Sequence, residues 1–308
     1  MVYLRRSFLS NILAGTVIPA IEASAQSSPQ RSATGRYRDL QDEIAELFTR
    51  LPGRKAVKFL APATYNGREF RFDMNSSERL FVGSAIKAFV LCERLRQLDG
   101  PDIVQKLTEK QLDLNASVWS ADSQTFNPPN LAGKVTERTT MEAMILHSDN
   151  TATDMELAQA GPGRVRAFLS SAGLNQSNVP DSTRVFFGYL LGAPNYKTFS
   201  WADLLAATNS KIVNPPLNNM ETLASSADDF VSFYSRGLRG EFFKHQETLD
   251  EFRRILSLGD VISIVPFPQG ASAFAKGGAS MCQDFTLSMP ALCSSQSLGI
   301  FPELGRGG

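Results

Sequence analysis

Ser84 and Lys87 stand three residues apart at the head of an apolar run from Leu80 to Cys92. If that run is a helix, one turn puts both side chains on the same face. A serine hydroxyl is a poor nucleophile until a base takes its proton, and a lysine packed against Phe81, Ile86 and Phe89 has its neutral form favoured. Lys87 is therefore a candidate base for Ser84. The first N–H groups of a helix lack intrahelical partners, so a serine there also sits where an oxyanion can be stabilised. A helix cap followed by a solvated lysine would give the same four residues. The pair gains weight only from two further groups, Ser148-Asp149-Asn150 and Lys276-Gly277-Gly278. Taken singly, these read equally well as a cap and as a glycine turn after a strand.

The elements that must position these residues follow from periodicity. Leu40, Ile44, Leu47, Phe48 and Leu51 recur at helical spacing before Pro52-Gly53. Lys55 to Leu60 and Arg68 to Asp73 alternate around Asn66-Gly67 and predict a hairpin. The Ser84 helix runs to Gly100-Pro101, and Asp102 to Lys110 predicts another. Thr139-x-x-Glu142 reads as a capping box for a helix ending at His147, and the next helix starts after Asn150 and stops at Gly161-Pro162-Gly163. Val165 to Leu169 opens a further helix. The proline-interrupted stretch from Leu174 to Asn219 reads as irregular, and helices resume at Ala227 to Tyr234 and Leu249 to Leu256. Val261 to Phe267, Ala271 to Ala275 and Asp284 to Met289 read as strands. The pattern predicts an α/β chain of the α+β type: one antiparallel sheet from residues 37–74 and 258–308, flanked by helices, with an all-helical subdomain, 75–257, inserted.

Composition excludes several classes. With 308 residues, 43% of them hydrophobic, the chain can bury a sizeable core. Lys+Arg and Asp+Glu both number 31, which leaves no electrostatic footprint for nucleic acid. Cys92, Cys282 and Cys293 are too few and scattered for a disulfide framework or zinc site, and Cys92 is expected to be buried. His147 and His245 lack metal-ligand spacing, and no Gly-x-Ser-x-Gly elbow is present. No metal or other cofactor is expected. At the N-terminus, Arg5-Arg6 precedes an apolar run from Ile12 to Ile21 and then Ala23-Ser24-Ala25. This predicts a signal peptide over 1–25, cleaved near Gln26, with a 26–308 mature domain that is periplasmic and not membrane-inserted. Arg-Arg-x-Phe-Leu resembles a twin-arginine export signal.

From about Tyr37 to Ala279 the chain resembles the penicillin-recognising serine hydrolases, in particular the class A β-lactamases. The resemblance rests on Ser84-x-x-Lys87, Ser148-Asp149-Asn150, Gly161-Pro162, Asn219-x-x-Thr222 and Lys276-Gly277-Gly278, in that order and in those contexts. It implies Ser84 as acyl-accepting nucleophile, Lys87 as its base or proton relay, and Ser148 as proton donor to the leaving group. Asn150 would hold Lys87 and a substrate amide, and Lys276 would attract a substrate carboxylate. Gly278 would let the strand edge approach the substrate, and the N–H groups of Ser84 and Ala279 would form the oxyanion hole. The substrate would be a small molecule: a β-lactam or, alternatively, an ester or D-alanyl peptide. A monomer is expected.

Three departures qualify that expectation. Position 277 is glycine where the family usually has a hydroxyl residue. No glutamate lies between Glu156 and Glu221, so the family's deacylating base lacks a counterpart, and Asp181 or Asp203 would serve only if folded inward. Cys293 to Gly308 shows no helical periodicity where the family ends in a helix, which suggests a truncated fold. A catalytically impaired binding protein is the reading from another class that these departures leave open.

Overall fold

Residues Lys87 to Leu95 are buried all round, which sets the helix that carries them in the core of its unit. The computed structural model describes residues 33–61, 69–207, 209–264, 271–279, 287–288 and 291–295, and distinguishes two compact units, 1–44 and 45–308. In chain order the elements begin with α1 (Ala33–Arg50), β1 (Val57–Ala61), β2 (Phe70–Met74) and β3 (Leu80–Phe81). A 3₁₀ turn, Gly83–Ile86, leads into α2 (Lys87–Leu98), followed by α3 (Ile103–Glu109), β4 (Gln111–Leu114) and β5 (Gly133–Thr136). Then come α4 (Glu137–Leu146), α5 (Asn150–Ala160), α6 (Pro162–Ser171), α7 (Thr183–Leu190) and α8 (Trp201–Ala206). The chain continues with β6 (Ala224–Ser225), α9 (Ala227–Leu238) and α10 (Gln246–Leu256). It closes with a 3₁₀ segment, Asp260–Ile264, and β7 (Ala271–Ala275), β8 (Gly278–Ala279), β9 (Leu287–Ser288) and β10 (Ala291–Ser295).

All described strand pairings are antiparallel: β1 with β2, β3 with β6, β4 with β5, β7 with β10 and β8 with β9. The β1–β2 hairpin sets Phe59 opposite Phe72, and its turn at Asn66-Gly67 lies outside the described residues. Around α2 pack α3, α4, α5, α6 and α10. Phe89 stacks on Phe230 of α9 with centroids 5.2 Å apart and meets the edge of Phe233 at 4.8 Å. Phe252, Ile255 and Leu256 of α10 close the other side, all fully buried. Aromatic pairs of this kind add about 0.5–1.5 kcal/mol beyond their area burial. Cys92 is buried, and loss of hydration pushes its thiol up, which suits packing and not reactivity.

Three local expectations are corrected. The N-cap of α4 is Thr136, whose hydroxyl accepts the Thr139 N–H at 3.1 Å, while Glu142 pairs with Arg254 at 2.6 Å. The stretch from Leu174 to Asn219 contains α7 and α8, capped by Ser182 and Ser200. Residues 260–264 form a 3₁₀ turn in place of a strand start, and 265–270 lie outside the described residues. Of the strand expected over 284–289, Leu287–Ser288 is strand and the other positions lie outside the described residues. Residues 1–32 and 296–308, which carry the expected signal peptide and the non-helical C-terminus, also lie outside the described residues. Leu47 of α1 and Leu51, just beyond its end, are exposed.

Candidate active site

From Phe81 to Leu95 every residue is buried except Ser84, which is half-exposed. Its exposure is built by the backbone. Gly83 takes φ +55°, and a Cβ there would come within 3.0 Å of the Ala279 carbonyl oxygen. The left-handed turn and the close strand both require glycine. The chain leaves β3, bends at Gly83, presents Ser84 and enters α2 with Lys87 as its first residue.

Lys87 is 0% exposed, and its ammonium nitrogen has three oxygen partners. It donates to the Ser148 carbonyl at 2.6 Å, to Ser148 Oγ at 3.2 Å and to Asn150 Oδ1 at 2.7 Å. Burial pushes its proton affinity well down, and the positive charge of Lys276 lowers it further; Asp149, Asp122 and Asp154 act in the opposite direction. A buried amine with its affinity lowered is the form of lysine that takes a proton at neutral pH.

The α4–α5 corner makes this contact possible. Ser148 has φ +53°, in the left-handed region that costs a non-glycine residue about 1–3 kcal/mol. That conformation turns both its carbonyl and its hydroxyl toward Lys87. The strain is held by Asp149, which is fully buried: Oδ1 caps α5 through the Ala152 N–H at 2.9 Å, and Oδ2 accepts Thr125 and Phe126 N–H, each at 3.0 Å. Asn150 is oriented by donating from Nδ2 to the Ala121 carbonyl at 2.9 Å. Asp149 was no candidate on sequence, although Asp149-x-x-Ala152 is a visible N-cap pattern.

Lys276 follows β7, is 1% exposed and donates to the Gly277 carbonyl at 2.6 Å. Its neighbour β8 lies directly on the Ser84 turn. A Cβ at Gly278 would meet Val82 O at 2.1 Å, Ala85 N at 2.6 Å and Ser84 N at 2.9 Å, so only glycine lets the strand this close. The Ser84 and Ala279 backbones are therefore brought close together. Between β7 and β8, a Cβ at Gly277 would meet Val261 Cγ1 at 2.1 Å. The absent hydroxyl side chain has no space left for it: a valine methyl fills the place.

Neither acid considered for water activation is free for that task. Asp181 pairs with Arg166 at 2.9 Å and Lys197 at 2.6 Å. Partial burial raises its proton affinity, but these two cations outweigh that and hold the carboxyl below the usual range. Asp203 caps α8 in reciprocal bonds with Ser200. Another carboxyl, which sequence reading passed over, stands closer to Lys87 in its electrostatic effect: Asp154, one turn beyond Asn150 on α5 and 5% exposed. Its signal was spacing, since i and i+4 share a helix face. Among the described residues no group of His, Cys, Asp and Glu could hold a metal ion, and no helix is long and apolar enough to cross a membrane.

The fold is that of the class A β-lactamases. An ancestral class A β-lactamase superposes with a TM-score of 0.60 at 18% identity, covering 84% of this chain and 86% of that one. The chromosome-encoded β-lactamase of Vibrio parahaemolyticus gives 0.60 at 17% identity over 84% and 86% of the two chains. The β-lactamase from Sphaerobacter thermophilus gives 0.56 at 17% identity over 85% and 89%. At these identities the likeness concerns the fold. Among curated proteins none matches the sequence. The model of the beta-lactamase enzyme family matches residues 39–279, and the chain belongs to that family. It is accordingly a serine hydrolase of the β-lactamase type.

Proposed function

We propose that this hydrolase is acylated at Ser84, opening the amide of a β-lactam ring, and that it works outside the cytoplasm after export. The observation that carries the reading is the fully buried Lys87 amine, one turn from the half-exposed serine and bonded to both Ser148 and Asn150. Neutral Lys87 takes the Ser84 proton as Oγ attacks the carbonyl carbon. The oxygen's developing charge faces the Ser84 and Ala279 N–H groups, where two such donors are worth several kcal/mol together. As the C–N bond breaks, the Ser148 hydroxyl gives its proton to the nitrogen and is recharged by Lys87 across the 3.2 Å bond. Lys276 adds positive charge that favours an anionic substrate and keeps Lys87 a proton donor only transiently. Water then hydrolyses the ester.

Intact-mass spectrometry after incubation with a penicillin tests this: a ring-opened adduct adds the whole penicillin mass, and Ser84→Ala abolishes it. An adduct that survives in Ser84→Ala refutes the assignment. A second reading, a small ester as the better substrate, is favoured by Val261 filling the face of Gly277 and by the engagement of Asp181 and Asp203. It predicts a burst and slow release with penicillin and faster steady turnover of a small ester. Export predicts a periplasmic N-terminus near Gln26; recovery only of protein retaining Met1 or Val2 would reject it.

A further inference from the structure

The Asn150 amide stands between two partners that can each use only one end of it. Its Oδ1 accepts from Lys87 at 2.7 Å, and its Nδ2 donates to the Ala121 carbonyl at 2.9 Å. An ammonium group only donates and a carbonyl only accepts, so the amide is not free to turn over. The place of the Ala121 carbonyl therefore decides where Oδ1 meets the lysine. Yet Ala121 lies between β4 and β5 in a stretch, 115–132, that is neither helix nor strand. The next residue, Asp122, is exposed and has φ +61°, a backbone conformation that persists only where its surroundings enforce it.

Thr151, fully buried on the first turn of α5 and next to Asn150, supplies that enforcement. Its Oγ1 accepts the Ser120 N–H at 3.0 Å and lies 2.7 Å from Ser123 Oγ. Ser123, also buried, accepts the Thr151 N–H on the same Oγ at 2.7 Å and donates to the Ser120 carbonyl at 3.0 Å. With the Thr151 hydroxyl donating to Ser123, every donor in this ring has an acceptor. Ser120 and Ser123, one on each side of Ala121 and Asp122, are thus both tied to the residue that follows Asn150. A second tie runs through Thr183, whose Oγ1 is 2.7 Å from Ser120 Oγ and donates to the Asn150 carbonyl at 3.4 Å. Without the Thr151 hydroxyl the buried Ser120 N–H loses its acceptor, and the turn gains by moving to find another.

We propose that Thr151 is a positioning residue of this site, whose hydroxyl locks the 120–123 turn so that the Ala121 carbonyl aims the Asn150 amide at Lys87. This role rests on the reading of Lys87 as the base of Ser84, and it is exerted only through Asn150.

The test is the titration of Lys87 by NMR in protein labelled at lysine, the resonance being assigned with Lys87→Arg. No substrate is needed, so a failure of acylation at Ser84 and a failure of Lys87 to respond to Thr151 are distinct results. An acceptor on the ammonium favours its charged form, so in Asn150→Ala the Lys87 midpoint should fall by something on the order of one pH unit. Thr151→Val should lower it in the same direction, and Thr151→Ser, which restores the hydroxyl, should recover it. In the double variant Asn150→Ala/Thr151→Val the midpoint should stay where Asn150→Ala alone puts it, because both changes act through one amide. An unchanged midpoint in folded Thr151→Val or in Asn150→Ala overturns the proposal, and so do shifts that add in the double variant. If Thr151→Val does not fold, Ser123→Ala removes the other hydroxyl of the ring and carries the same comparison. Loss of fold in both assigns the ring to folding alone and equally overturns the proposal.

Discussion

Glu156 offers the sharpest test of the energetic reasoning. It lies on α5 with 0% exposure, and neither carboxylate oxygen has a hydrogen-bond partner among the described residues. Its neighbour Glu137 takes the nearby cations: Glu137 Oε1 accepts from Arg94 at 2.7 Å and from Lys110 at 3.3 Å. Burial, and then the charge of Glu137, push the Glu156 carboxyl well above its ordinary value near 4.5, with Arg94 and Lys110 pulling weakly the other way. A buried polar group left unpaired costs about 1–3 kcal/mol, whereas an apolar group of similar shape costs nothing comparable. Glu156→Leu should therefore stabilise the protein by about 1–3 kcal/mol. At about 2–4 °C per kcal/mol for a chain of this order of size, the melting temperature should rise by several degrees. The pH dependence fixes the cause. The unfolded chain releases this proton near the ordinary value while the folded chain retains it, so raising the pH favours the unfolded state until the folded group also ionises. The advantage of Glu156→Leu must then be smallest below pH 4.5 and widen with rising pH, as followed by calorimetry at pH 5 and pH 8. Glu156→Gln should remove the pH dependence but keep unpaired polar atoms, and so gain less. A lower melting temperature for the leucine variant, or an advantage that shrinks as pH rises, would refute the argument.

Other substitutions probe the site's supports. Gly278→Ala would drive a Cβ to 2.1 Å from the Val82 carbonyl oxygen, a backbone atom, and should cost about 1–3 kcal/mol and suppress labelling of Ser84 in the mass assay. Lys197 bridges Asp181 at 2.6 Å and the buried Glu221, so Lys197→Met should destabilise by about 1–3 kcal/mol and speed proteolysis of the 177–222 segment. Asp181→Asn should leave the lifetime of any acyl-enzyme unchanged, since Arg166 and Lys197 already occupy that carboxylate; a lifetime prolonged tenfold would show that it activates water.

The sequence shows the chemistry-bearing turns more clearly than their supports. Ser84, Ser148 and Lys276 sit at a helix start, a helix–helix corner and a strand end, and such places carry local signals in glycine, capping residues and polarity change. Helix α5 shows why others stay hidden. Its residues from Asn150 to Leu157 are all buried, so no amphipathic stripe exists to separate Asp154 and Glu156 from solvated acids. In α7, Val185, Phe186 and Leu190 are buried on one face, but the surrounding prolines mask the helix behind Ser182, its cap. Val261 and Ile262 have strand-forming side chains, yet they follow Gly259, where a Cβ would meet the Ala275 carbonyl oxygen at 2.2 Å. Tertiary closeness overrides local preference there. The Val261–Gly277 contact is visible only once that turn is seated.

Under the proposed mechanism, the same supports explain why making and breaking an acyl-enzyme are unequal tasks. Acylation draws on Lys87, whose three oxygen partners come from one strained corner held by Asp149, and on the Ser84 and Ala279 backbones brought together by Gly83 and Gly278. All of these are fixed before substrate arrives, which is what electrostatic preorganisation requires. Release of the acyl group asks for a second base with a free lone pair toward water. Asp181 and Asp203 spend theirs on ion pairs and a helix cap, and both oxygens of Asp154 accept backbone N–H groups of α7. These three carboxylates thus serve structure, and under the proposed mechanism the burden of activating water falls on Lys87. A lysine whose hydrogen bonds already satisfy Ser148 and Asn150 performs that second task only by giving up a contact that acylation uses. The proposed mechanism therefore predicts that release is the slow step, and that an acyl group small enough to leave room for water beside Lys87 is turned over best.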